Sequence, residues 1–198
     1  AAAIHARHRI SLDADHVVAD LVQRFESLVE FLEGKAEWKT SRLQPPVMVL
    51  GRFHGVETGI RQLRRSLPLE TTKVQIEDKT VVVPTPEEML RVKGWLALTR
   101  NALRDYIDMV ALAHFLGRER STEALAMFDH CYRDNYRGRE VSPLLQLARQ
   151  LADPMPYDRQ DIDLKHYKGI VAPWDDWGNI KTHCQELSYW MATIIAQG

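Results

Sequence analysis

Hydrophobic periodicity changes character once along the chain, near Pro84. Before that point short apolar runs alternate with turn residues; after it, apolar positions recur at helical spacing. Residues 1–7 read as the end of a helix. From His8 to Asp15 the residues alternate, with Arg9, Ser11, Asp13 and Asp15 on one face and Ile10, Leu12 and Ala14 on the other, which predicts a strand. Residues 17–33 carry apolar positions at 3.6 spacing and stop at Gly34, a helix followed by a polar connection over Lys35 to Gln44. Val47 to Phe53 and Val56 to Leu63 predict a hairpin turning at His54-Gly55, and Leu69 to Glu77 with Thr80 to Val83 a second one. Thr85-Pro86-Glu87-Glu88 is a helix start, with Thr85 as cap, Pro86 in the first turn and Glu88 completing a capping box. Helical pattern then runs to about Leu116 with a break near Asn101, and resumes over 121–134, 141–152 and 175–196.

The expected fold is therefore α+β: a small mixed sheet with packed helices over residues 1–84, then a helical C-terminal lobe over 85–198. A chain of 198 residues, 45% apolar, has enough material for a core, so disorder is excluded. With 27 acidic and 26 basic side chains the net charge is −1, which removes the simplest sign of a nucleic-acid binder. Cys131 and Cys184 stand far apart without a CxxC pair, arguing against a disulfide scaffold or a zinc knuckle and for a reduced, cytoplasmic setting. No segment reaches the roughly 18 apolar residues of a membrane span, so no membrane partner is expected. The opening AAAIHARHR has no apolar run of the signal-peptide kind and reads as a chain entered mid-helix.

Two constellations could carry chemistry. Asp13 and Asp15, at i and i+2 of a strand, point the same way and could converge on hard divalent cations, with Ser11 on the same face. On one continuous helix Arg100, Arg104 and Asp108 fall within about 60° of Lys93, whereas Asp105 falls near 120°. Each set alone is more simply a solvated face. His5, His8 and His16 are read as solvent or packing histidines. Basic residues on the first hairpin (Arg52, His54, Arg61, Arg64, Arg65) and at Arg133, Arg137 and Arg139 could lean on a phosphate backbone, although solvated charge is the commoner explanation.

Taken in order, the two sets suggest more. Arg9-Ile10-Ser11-Leu12-Asp13-Ala14-Asp15, then Pro84-Thr85-Pro86-Glu87 with Lys93, then Arg104-Asp105-Tyr106-Ile107-Asp108 resemble the AbiEii/AbiGii toxin family of DNA-polymerase-β-like nucleotidyltransferases. The resemblance covers residues 8–109. It implies that Asp13 and Asp15 hold Mg²⁺ or Mn²⁺, that Lys93 contacts nucleotide phosphates, that Asp108 is the late catalytic acid, and that Arg9, Ser11 and Arg104 support the nucleotide. It further implies an enzyme transferring a nucleoside monophosphate from an NTP to a tRNA-like or protein acceptor. Such an enzyme would be the toxin of a toxin–antitoxin or phage-defence pair, with a cognate antitoxin as partner. The family's Gly-Gly or Gly-Ser turn before the DxD strand is missing. Two alternatives stay open: a small-molecule, antibiotic-type nucleotidyltransferase, and a degenerate nucleotidyltransferase fold serving as a binding module.

Overall fold

In the computed structural model, which describes residues 1–65, 67–136 and 141–197, the polypeptide begins with the short helix α1 (Ala2–Ala6). Arg7 ends it in the left-handed conformation, φ 51°. The strand expected from His8 starts later, as β1 (Asp13–Val18). The reason is local: the Ile10 amide donates to the Lys168 carbonyl (2.8 Å) and the Val171 amide to the His8 carbonyl (3.1 Å), so residues 8–10 pair with a distant loop. Helix α2 (Leu21–Glu33) ends at Gly34. The polar connection that follows is itself a strand, β2 (Trp38–Gln44), which alternation did not reveal because its side chains are mostly charged or polar and exposed. Strands β3 (Met48–Phe53) and β4 (Val56–Gln62) form the expected hairpin, and β5 (Thr71–Ile76) and β6 (Lys79–Pro84) the second.

The chain after β6 is helical in the main. Helix α3 (Pro86–Arg100) is capped as its sequence predicts, the Glu88 amide donating to Thr85 Oγ1 at 3.1 Å. The reciprocal half of the capping box is replaced: the buried Glu88 carboxylate binds Arg91 at 3.0 Å. Asn101, with φ 54°, stops α3, and α4 (Leu103–Ala126) begins anew. Gly117, at φ 76° and ψ 171°, interrupts α4 in a conformation open to glycine alone. Then come α5 (Phe128–Tyr132), a turn of 3₁₀ helix, α6 (Pro143–Ala152) and α7 (Trp177–Gln197). Arg137 and Arg139 of the second basic cluster lie outside the described residues.

Contacts divide the chain into two units. Residues 11–68 form a four-stranded sheet in the order β1-β4-β3-β2, with β1 parallel to β4 and the other neighbours antiparallel. Helix α2 packs on it through Leu21 and Phe25 against Trp38 and Val49. Gly51 leaves room for the Trp38 indole, 2.7 Å from where a Cβ would sit at two of its ring atoms. The second unit comprises residues 1–10 and 69–198, built around α4. Tyr106 to Ala113 are all buried, including Asp108; a helix apolar all round has no solvent face to offer and takes the centre. Among the described residues no helix is long and apolar enough to cross a membrane.

Candidate functional site

Helices α3 and α4 pack side by side, and Lys93 meets Asp108 across that contact rather than along one helix. The break at Asn101 invalidates the single-helix arc, and with it the exclusion of Asp105. Asp105 and Asp108 lie at i and i+3 of α4 and share a face. Lys93 Nζ bridges them, 3.0 Å from Asp105 Oδ1 and 2.7 Å from Asp108 Oδ2.

Asp108 is fully buried and accepts from four donors. Its Oδ1 receives His8 Nε2 at 2.7 Å and Arg9 Nε at 2.8 Å; its Oδ2 receives a second Arg9 nitrogen at 2.9 Å and Lys93. A carboxylate has about four lone-pair positions, and all four are in use. Two carboxylates here face the Lys93 ammonium and the Arg9 guanidinium, with the His8 ring as the further donor to Asp108. The cost is His8 Nδ1, which is buried without a hydrogen-bond partner among the described residues. Burial pushes the Asp108 carboxyl upward in pKa, but Lys93, His8 and Arg9 outweigh it and hold it well below the ordinary carboxylate value. The geometry is that of an anchor: Asp108 fastens residues 8 and 9 to the α3–α4 pair. His8, read from sequence as a solvent or packing histidine, and Asp105, set aside because it fell near 120° on a single continuous helix, are both members of the cluster.

The remaining predicted residues divide between the two units. Arg9, Lys93, Arg104 and Asp108 belong to the helical unit, with Arg104 half-buried on the first turn of α4. Ser11, Asp13 and Asp15 belong to the sheet unit. There Ser11 Oγ donates to Asp13 Oδ1 at 2.7 Å, and Arg61 Nε on β4 lies 3.3 Å from Asp15 Oδ1. Gly59, beside Asp15 in the parallel register, gives that carboxylate its space. Among the described residues no three His, Cys, Asp or Glu side chains converge as a metal cluster would.

The helical unit also carries a groove between α4 and α7. A cavity of about 190 Å³ has Val110, Ala113 and Leu187 as its apolar floor and His114, His183, Glu186 and Trp190 among its walls. The His183 ring packs on Trp174 at 5.1 Å and on His114 at 5.6 Å, and its Nδ1 lies 2.9 Å from Glu186 Oε2.

The similar curated proteins are mycobacterial transport proteins. The chain is 30% identical over 163 residues, 76% of its length, to a protein of Mycolicibacterium smegmatis named mycolic acid-containing lipids exporter MmpL11. It is 37% identical over 99 residues, half of its length, to the heme uptake protein MmpL11 of Mycobacterium tuberculosis. A probable transport protein MmpL11 of Mycobacterium leprae matches at 31% over 96 residues. The matched stretches span 16%, 10% and 9% of those proteins, so the chain corresponds to a small part of each. No family model and no solved structure matches.

These findings correct the expectations drawn from the AbiEii/AbiGii likeness. The relatives are named as transporters, so the nucleotidyltransferase assignment, in its toxin and its antibiotic-type forms, is withdrawn. The enzyme expectation goes with it, as do NTP, tRNA, protein acceptor and antitoxin as partners. The expectation of no membrane partner is withdrawn too, since the relatives are named as an exporter and as transport proteins. The physical reason the likeness misled is plain in the helical unit. Lys and Asp at those spacings satisfy a motif, but here they satisfy each other, as a buried ionic anchor needs.

Proposed function

We propose that this chain acts as a non-spanning module of an MmpL11-type transport protein, binding cargo without transforming it. What supports the reading is the likeness to the Mycolicibacterium exporter over three-quarters of the chain, together with the lack, among the described residues, of any membrane-crossing helix. The saturated Asp108 agrees with a binding role, because a carboxylate with every lone pair engaged serves a scaffold. Of the two cargoes in the relatives' names, a mycolic-acid-containing lipid and haem, the α4–α7 groove favours haem. What favours it is chemistry and not size: the His114 and His183 imidazoles in its walls are of the kind that ligate a metal, which an acyl chain does not carry. We also propose Asp13 and Asp15 as the place where a divalent cation, Mg²⁺ or Mn²⁺, binds, since both carboxylates occupy one face of β1.

A chimera tests the transport reading. The matched segment of the smegmatis exporter is replaced by this chain in cells lacking the native gene, and transport is compared with that of a segment deletion. Restored transport is expected. A chimera present in the membrane at wild-type level that transports no better than the deletion overturns the proposal.

A further inference from the structure

We propose that the cavity between the 159–164 loop and the start of α7 binds a free amino acid with an apolar side chain, in its zwitterionic form. This site lies apart from the α4–α7 groove and is independent of the transport reading.

The cavity measures about 400 Å³, within the roughly 300–1,000 Å³ of small-molecule sites. Arg159 of the loop and Trp177, the first residue of α7, both line it. The Arg159 guanidinium carbon stands 5.1 Å from the Trp177 ring centre. A guanidinium lying over a ring engages its face, while its N–H donors sit on its edge. Those donors lack a carboxylate: Arg159 makes no ion pair among the described residues, and its Nε is buried without a hydrogen-bond partner there. The Arg159 amide donates to the Pro156 carbonyl at 3.2 Å, which fixes the turn that carries it. A buried N–H without an acceptor is a loss that an arriving oxygen recovers.

The same cavity is lined by carboxylates with spare capacity. Asp163 and Asp176 each commit one oxygen to the backbone. Asp163 Oδ1 accepts from the Lys165 amide at 3.0 Å, and Asp176 Oδ1 from the Asn179 amide at 2.9 Å. Their second oxygens, and both oxygens of Asp175, take no hydrogen bond from the protein among the described residues.

The two signs of charge select the ligand. A simple anion would meet three carboxylates, and a simple cation would leave the Arg159 donors unpaired. A zwitterion satisfies both, with its carboxylate on Arg159 and its ammonium on Asp175 and the open oxygens of Asp163 and Asp176. Ile162, Leu164 and the Trp177 indole supply apolar surface for its side chain.

The test is isothermal titration calorimetry of the full chain at neutral pH with L-leucine, L-leucinamide and N-acetyl-L-leucine. Leucinamide lacks the carboxylate and N-acetyl-leucine the ammonium, and both keep the side chain. Leucine should bind one to one with a Kd of about 100 μM. Each analogue should bind at least about tenfold more weakly, because each loses a charge-assisted contact. Arg159→Gln should weaken leucine about tenfold and leave leucinamide no weaker. Asp175→Asn should weaken leucine and leave N-acetyl-leucine no weaker, whereas a merely structural change would weaken all three ligands alike. Thermal melting checks that the variants fold, and the three-ligand comparison on wild type decides the question without them. No binding of leucine up to about 10 mM overturns the proposal. So does leucinamide binding as tightly as leucine, which makes the cavity a cation site, or N-acetyl-leucine doing so, which makes it an anion site.

Discussion

Replacing Asp108 with Asn keeps the side chain's shape and removes its charge. Four donors then converge on an amide that offers one acceptor oxygen and two N–H donors of its own. Lys93, its side chain 12% exposed, keeps Asp105 as a counter-charge, and Arg9, 9% exposed, loses both of its bonds to the Asp108 carboxylate. Deleting one partner of a buried ion pair costs about 3–5 kcal/mol, because the surviving charge stays out of water. That is a large part of the roughly 5–15 kcal/mol by which a domain is stable. At about 2–4 °C per kcal/mol for a chain of this size, Tm should fall by about 6–20 °C. The assay is calorimetric melting at neutral pH of wild type, Asp108→Asn, Lys93→Met and the double variant. The double variant should cost less than the two single changes together, since the lysine no longer lacks a partner once it is gone. The acid side gives a second reading. The folded Asp108 titrates well below its ordinary value of 3.8, so its contribution is complete above that pH and is lost as pH drops through the lowered folded value. Asp108→Asn should therefore flatten the acid limb of the stability curve. A Tm within about 2 °C of wild type and an unchanged acid limb would refute the anchor role.

Three further outcomes concern the sheet unit, the start of α3 and the β1 carboxylates. Gly51→Ala drives a methyl into the Trp38 indole, itself 8% exposed, and should cost about 1–3 kcal/mol by urea denaturation of the sheet unit's fluorescence; no loss means the indole repacks freely. Thr85→Ala removes the acceptor for the Glu88 amide and should lower stability by about 1 kcal/mol, whereas Thr85→Ser should keep most of it. For the proposed cation site, Mg²⁺ or Mn²⁺ should raise the Tm of wild type and leave the Asp13→Asn, Asp15→Asn double variant unmoved. Superimposable melting curves with and without the ions reject it.

Local chemistry made much of the architecture legible in the residues. The Thr85-Pro86 start, the His54-Gly55 turn, the stop at Gly34 and the stripe of α7 are written in contiguous residues, and each forms for reasons within a few positions. The α+β class follows from them. Two elements escaped because their determinants are distant. Strand β2 is held by pairing with β3, not by its own polar sequence, and residues 8–10 are drawn from the expected strand by the loop at 168–171.

At the candidate site the division is sharper. The resemblance grouped Arg9, Lys93 and Asp108 with Ser11, Asp13, Asp15 and Arg104 as one nucleotide site, and of these the structure joins Arg9 and Lys93 to Asp108. Which atoms they meet depended on the turn at Asn101, where a left-handed residue converts one expected helix into two packed ones. That turn brings Asp105 in, lets Lys93 span both carboxylates, and leaves Asp108 surrounded by four donors. His8 entered by burial, and His114 met His183 through the packing of α4 on α7, about 70 residues further along the chain. Spacing along a chain reports which side chains can share a face; which of them lose water together is decided by the tertiary contacts, and that loss sets whether a charge is a reagent or a fastening.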